Sequence, residues 1–314
     1  EPKYTENISS SLIKKKINKI ISIPNNRVSI LQRLIKAKNI VRILESHSAL
    51  TGLIIENLSI NKKGKNYEFD GMWSSSLTDS ATKGKPDNQS LDYSARISSL
   101  SEIIDRTSKP VLFDADNGGR IEHLPFLVRS LERLGVSAIV IEDKIGLKKN
   151  SLFKNQKGVS QDSIQSFCKK IKKIKEKRYS NDFLITARIE SFILNNGLKD
   201  ALRRANAYSK AGADLILIHS KSDTPKEIFK FAKIFSKSKN YKPLVAVPST
   251  YSKTHEKELI KNNFKIVIYA NHLLRSSYPA MVDSAKKILL SGRSFEIEKI
   301  IIPIKEIINL IEND

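Results

Sequence analysis

The chain has 314 residues, 40% of them hydrophobic and 28% charged, enough apolar material for a large α/β core. No stretch reaches the roughly 20 apolar residues of a membrane helix and no signal peptide is recognised, so a cytoplasmic protein is expected; the single cysteine, Cys168, allows no intrachain disulfide, and no Cys/His spacing suggests zinc. The formal net charge of +22 comes from dispersed lysines, and the basic runs at 14–16 and 169–177 hold no base-stacking aromatics, which favours a field that attracts an acidic substrate over specific nucleic-acid binding.

In chain order, residues 1–28 read as a basic, irregular extension and residues 29–314 as one catalytic domain. Eight short β-branched runs follow, at 41–45, 67–73, 111–114, 138–142, 184–188, 215–218, 244–247 and 266–269. Several are continuously apolar, as in IVIE, LILI and KIVIY, the pattern of a parallel strand buried on both faces. Amphipathic segments separate them, at 91–107, 123–134, 161–177, 198–211, 225–235 and 253–263. This alternation predicts a (β/α)8 TIM-type barrel rather than an open sheet. At 295–311 isoleucines go almost round a helix, so that helix needs a second partner, and a homodimer or homotetramer is expected.

Nearly every apolar run ends in polar, reactive side chains, and in a barrel these C-terminal strand ends converge on one mouth. Asp114 and Asp116, two apart at the end of the third run, can both face the mouth, with Glu142 and Asp143 on the next strand. Such carboxylates suit Mg²⁺, which takes oxygen ligands and keeps several waters; the alternative is helix caps or lysine partners. Arg188 offers a fork for carboxylate or phosphate and His219 a further donor, unless Arg188 is simply paired with Glu190. Small residues after the second run, around Ser74, Ser75 and Ser76, let backbone N–H groups approach an oxyanion. His47, Ser48, Asn271 and His272 stand open as ligands or as caps and core groups.

The segment Glu142-Asp143-Lys144-Ile145-Gly146-Leu147-Lys148-Lys149-Asn150-Ser151 resembles the EDK-x5-NS signature of the phosphoenolpyruvate mutase family, within the isocitrate lyase superfamily. The likeness extends from about residue 29 to 311 through Glu45-Ser46-His47, Gly71 to Leu77, Asp114-Ala115-Asp116, Ala187-Arg188-Ile189-Glu190, His219-Ser220-Lys221 and Ala270-Asn271-His272. It implies a Mg²⁺-dependent isomerase that interconverts phosphoenolpyruvate and phosphonopyruvate. Asp114 would bind the metal, with Asp116 and Glu142 holding its waters. Asp87 would lie near the phosphoryl group, and Arg188 and His219 would hold the substrate's anionic groups. Ser75, Ser76 and Leu77, beside Trp73, would bind the pyruvyl oxygens. Lys148, Asn150, Ser151 and Leu152 would belong to a gating loop, and the terminal helix would be swapped between subunits. Lyase relatives carry a catalytic cysteine in a Lys-Lys-Cys-Gly-His loop, absent here, so Cys168 reads as structural. Asn117-Gly118-Gly119 departs from the family's frequent Asp-Thr-Gly-Tyr-Gly and resembles mutases fused to a nucleotidyltransferase domain. The rivals are a phosphonopyruvate hydrolase, a carbon–carbon lyase or decarboxylase, and a non-catalytic barrel binding RNA.

Overall fold

The computed structural model describes residues 17, 20, 23–146, 148–153 and 155–310. It divides into two compact units, residues 1–271 and 272–314. In the first, eight parallel strands close into a barrel in the order β1-β12-β11-β10-β9-β6-β5-β4, where β1 is Val41–Glu45, β4 Gly71–Ser74, β5 Val111–Asp114 and β6 Ala138–Glu142. The others are β9 Leu184–Ile189, β10 Leu215–Ile218, β11 Leu244–Ala246 and β12 Phe264–Tyr269. The barrel closes where β1 pairs with both β12 and β4. At that seam Gly71 leaves room for its neighbours: a Cβ there would sit 2.7 Å from the Pro110 carbonyl oxygen.

The barrel interior is filled two residues at a time. Val41 and Ile43, Ala138 and Val140, Leu215 and Leu217, and Ile266 and Ile268 point inward with Trp73, Leu112, Leu184, Val245 and Val247. Helix α1, Pro24–Ala37, joins this core through Leu31 and Ile35. Strand side chains alternate between faces, so this inward register continues beyond the apolar layers to the mouth. Outside lie α4 (Tyr93–Asp105), α5 (Leu124–Leu134), α6 (Ile164–Lys177), α7 (Gly197–Ala211), α8 (Lys226–Phe235) and α9 (Glu256–Lys261), after α2 (Ala49–Asn57) and the short α3 (Ser76–Thr82).

Three expectations need correction. The run at 67–73 is not one strand: Lys65–Glu68 (β3) pairs antiparallel with Ser59–Lys62 (β2) in an exposed hairpin, and the barrel strand starts at Gly71. Helix α1 begins at Pro24, inside the stretch read as an irregular extension, and buries Arg27 and Val28; most of residues 1–22 lie outside the described residues. The stretch 295–311 is not one helix. Pro303 cannot continue a helix with its fixed φ and missing N–H, and it instead precedes the short α11, Ile304–Asn309. The main helix of the second unit is α10, His272–Ser291, with Pro279 inside it.

Candidate active site

On seven of the eight strands, following the inward register two residues past the apolar layer gives the mouth directly. Trp73 leads to Ser75, Leu112 to Asp114, Val140 to Glu142, Thr186 to Arg188, Leu217 to His219, Val247 to Ser249 and Ile268 to Ala270. These residues, with the segment 148–152 and Asp87, Ser76, Leu77 and Asn271, line one cavity of about 60 Å³. Every site residue that the family resemblance implies lines it except Asp116, which adjoins it through an ion pair to Lys148.

Asp143 does not belong to the site. One residue out of phase with Glu142, it faces the helices and accepts from Tyr208 Oη at 2.7 Å, Gln161 Nε2 at 2.8 Å and Arg204 Nη1 at 3.2 Å. Burial pushes its carboxyl up to about 6, against the pull of Arg204. Ser48 caps α2 by accepting from the Thr51 N–H at 3.3 Å, and the His47 ring is paired with Glu45. Cys168 lies on α6 and does not line the cavity.

Two polar clusters face each other across the cavity. In the first, Asp114 ends β5 and accepts at Oδ2 from the Ser76 backbone N–H at 3.4 Å and Ser76 Oγ at 3.2 Å. Asp116 turns out of the strand in the left-handed region, φ 49°, and Gly118 (φ 78°) completes the turn. A side chain at Gly118 would be strained by that φ and would press on Leu124 at 3.2 Å. The Lys148 ammonium enters here, 2.6 Å from Asp87 Oδ1 and 2.8 Å from Ser76 Oγ and paired with Asp116. Asn150 Nδ2 donates to the other Asp87 oxygen at 3.0 Å. Burial works against the Asp87 carboxylate, but Lys148 and Asn150 hold its pKa below the usual range. Burial and the neighbouring Asp114 raise that of Asp116.

The second cluster surrounds Glu190, which is fully buried. Arg188 Nε donates to it at 2.6 Å, Ser151 Oγ at 2.5 Å, and His219 Nδ1 lies 3.1 Å away. Despite burial, Arg188 and His219 hold the Glu190 carboxyl well below its ordinary value. Burial and Arg188 lower the His219 pKa, which favours a neutral ring. Arg188 Nη2 reaches Ser151 Oγ at 2.8 Å and lies 3.3 Å from Glu142, whose own carboxyl burial pushes up to about 7. The Arg188–Glu190 ion pair weighed as an alternative is therefore present, yet the arginine still faces the cavity.

Two residues have roles that the sequence reading did not assign. Lys144 is buried, donates to Ser151 Oγ at 2.7 Å and to the Lys149 carbonyl at 2.8 Å, and so ties the segment 148–152 to the barrel. Arg96 is buried behind the first cluster, donating to Asp79 at 2.9 Å and to the Asp114 carbonyl at 2.5 Å above the Phe113 ring. Its signal was available: it shares the buried face of α4 with Leu100, Ile103 and Ile104, and a charge there needs a fixed partner.

A closed parallel barrel whose mouth gathers carboxylates and cations beneath a loop defines an enzyme-type site for a small molecule. The family model described as phosphoenolpyruvate phosphomutase matches residues 31–289. The chain belongs to that family, a family of mutases within the isocitrate lyase superfamily. It is 34% identical over 281 residues to a phosphoenolpyruvate phosphomutase of Tetrahymena pyriformis, covering 89% of each chain. It is also 34% identical over 269 residues to a phosphonopyruvate hydrolase of Variovorax sp. (strain Pal2), covering 85% of this chain and 91% of the relative. The crystal structure of a phosphoenolpyruvate phosphomutase from Streptomyces platensis subsp. rosaceus superposes with a TM-score of 0.81 at 33% identity, covering 90% of this chain and 94% of the other. Among the described residues no helix is long and apolar enough to cross a membrane.

Proposed function

We propose that this chain interconverts phosphoenolpyruvate and phosphonopyruvate by moving a phosphoryl group between the enol oxygen and C3 of one molecule. The observation that carries this reading is the segment 148–151, whose lysine, amide and hydroxyl close over Asp87, Asp116 and Glu190. Phosphoryl transfer proceeds largely through a loose, metaphosphate-like state, so the protein mainly positions groups and balances charge.

Among the described residues no group of three His, Cys, Asp or Glu side chains is drawn together around one point. The donor set still fits Mg²⁺: Asp114, Asp116 and Glu142 are oxygen ligands, and an ammonium already sits against Asp116. Asp114 would hold Mg²⁺, with Asp116 and Glu142 ordering its waters, and the bound ion would supply positive charge beside the pyruvate carboxylate and enolate oxygens. The chain's own groups do the rest. Arg188 and neutral His219 hold the anionic PO3 unit, and the N–H groups at Ser75, Ser76 and Leu77 receive the pyruvyl oxygens. Lys148 and Asn150 leave Asp87 to contact the phosphoryl group. The loop keeps water from the transferring group, which would otherwise be lost as phosphate.

Segment 148–152 lines the cavity of about 60 Å³, and on this reading it withdraws to admit substrate and closes again. The hydrolase relative's equal identity gives a second reading, in which the same site admits water as acceptor. Both readings need the cation. Turnover of phosphonopyruvate should stop with EDTA and return with Mg²⁺ or Mn²⁺; full activity in excess chelator would remove the metal from the account.

A further inference from the structure

The gating segment is held by a residue that no motif marks. Gln156 lies beyond the signature, yet its single carboxamide nitrogen donates to two loop carbonyls, Asn150 at 3.0 Å and Phe153 at 2.9 Å. Those carbonyls bracket the turn in which the Phe153 N–H also donates to the Asn150 carbonyl, at 3.1 Å. Within it the Asn150 side chain is used at both ends: Nδ2 donates to Asp87, and Oδ1 accepts from the Leu152 N–H at 3.0 Å. The orientation of the Gln156 amide follows from its partners, because two carbonyls can be met only by the NH2 end. Its Oε1 is buried with no hydrogen-bond partner among the described residues, so nothing on that side competes for the group.

We infer that Gln156 is the positioning residue that keeps the loop closed over the transferring phosphoryl group, and thereby sets the ratio of isomerisation to hydrolysis. The inference rests on the mutase reading above. With the staple intact, Asn150 stays on Asp87 and water stays out. With it released, the turn 150–153 loosens and Asn150 leaves its place. Water can then attack phosphorus as the P–C3 bond breaks. The electron pair remains on the enolate, a proton from water ends on C3, and the products are pyruvate and inorganic phosphate.

Two variants separate hydrogen bonding from packing. Gln156→Ala removes the staple at a position beside an open polar cavity of about 430 Å³, away from the core. Gln156→Glu keeps the shape but removes both N–H donors and sets a carboxylate against two carbonyls. Each purified variant is given phosphonopyruvate with Mg²⁺, products are counted by ³¹P NMR, and trypsin cleavage at the lysines within 148–157 is timed without substrate. Both variants should raise the phosphate-to-phosphoenolpyruvate ratio on the order of tenfold, as two lost neutral hydrogen bonds allow, and should be cut faster than wild type. A wild-type product ratio in both variants overturns the inference, as does an effect of Gln156→Ala that Gln156→Glu does not share. If wild type itself releases only phosphate, the mutase reading fails, and unchanged cleavage rates would then discard the staple as well.

Discussion

Lys148 gives the sharpest energetic consequence of the site. Its ammonium, Asp87 and Asp116 are nearly buried, with side chains 8%, 8% and 7% exposed. Asp114 stands beside them, so Lys148→Ala leaves three neighbouring carboxylates without the cation that now lies among them. Removing one partner of a buried pair costs about 3–5 kcal/mol. Water reaching the site through a loosened loop reduces this, which sets the expected loss at about 3 kcal/mol. For a chain of this size that lowers the melting temperature by about 5 °C. A divalent cation should substitute for the lost ammonium: at a hundred times its Kd it restores about 2.7 kcal/mol. Wild type should gain less, because its ammonium must first move. The matched control is Lys149→Ala, which removes the same charge from a group that donates to the Lys157 carbonyl and makes no ion pair among the described residues. Thermal denaturation of the three proteins in EDTA and in graded Mg²⁺ measures each quantity. A Lys148→Ala protein as stable as wild type in EDTA, with no greater gain from Mg²⁺, would refute this assignment of charge.

Metal-free stability should fall as pH rises from about 5 to 7. Glu142 has a folded pKa raised to about 7 from 4.5, so its contribution is complete below the unfolded value and is lost as pH climbs through the folded one. Asp143, raised to about 6, acts in the same direction. Glu142→Gln should flatten part of the slope in urea titrations, and an unchanged slope would assign it elsewhere. Asp114→Ala should abolish turnover while leaving a cooperative unfolding transition, whereas an unfolded variant would make Asp114 structural. The chain should sediment as a homodimer or homotetramer, because α10 and α11 bury none of their residues and expose Leu289, Leu290, Ile304 and Ile308; a stable monomer at micromolar concentration would contradict this. Nucleic-acid binding should be weak and collapse with salt, and tight sequence-selective binding would contradict the reading of the dispersed lysines.

The barrel was legible in the sequence because strands buried on both faces leave continuous apolar runs such as Ile139–Ile141 and Leu215–Ile218, and little else does. The hairpin 59–68 was not, since both its strands are exposed and carry no such run. The terminal helix was misread because an isoleucine count ignores Pro303, while α10 was obscured by Pro279 and its mixed composition. Within the site, residue identity and strand position located Asp114, Arg188 and His219. The spacing of two that placed them also excludes Asp143, which charge alone had grouped with Glu142. Asp87, on a turn between α3 and α4, has no periodic signal and came only from the family resemblance. Lys144 and Gln156 act through contacts along the loop, and spacing does not encode which carbonyl a side chain will find.

The central claim is that the phosphoryl group leaves one atom of the substrate for another without meeting water. The direct test is ³¹P NMR of the purified wild-type chain with phosphonopyruvate and Mg²⁺. Phosphoenolpyruvate should account for nearly all substrate consumed, with little inorganic phosphate. Phosphate and pyruvate formed in amounts that account for all of it would contradict the claim and make the chain a hydrolase.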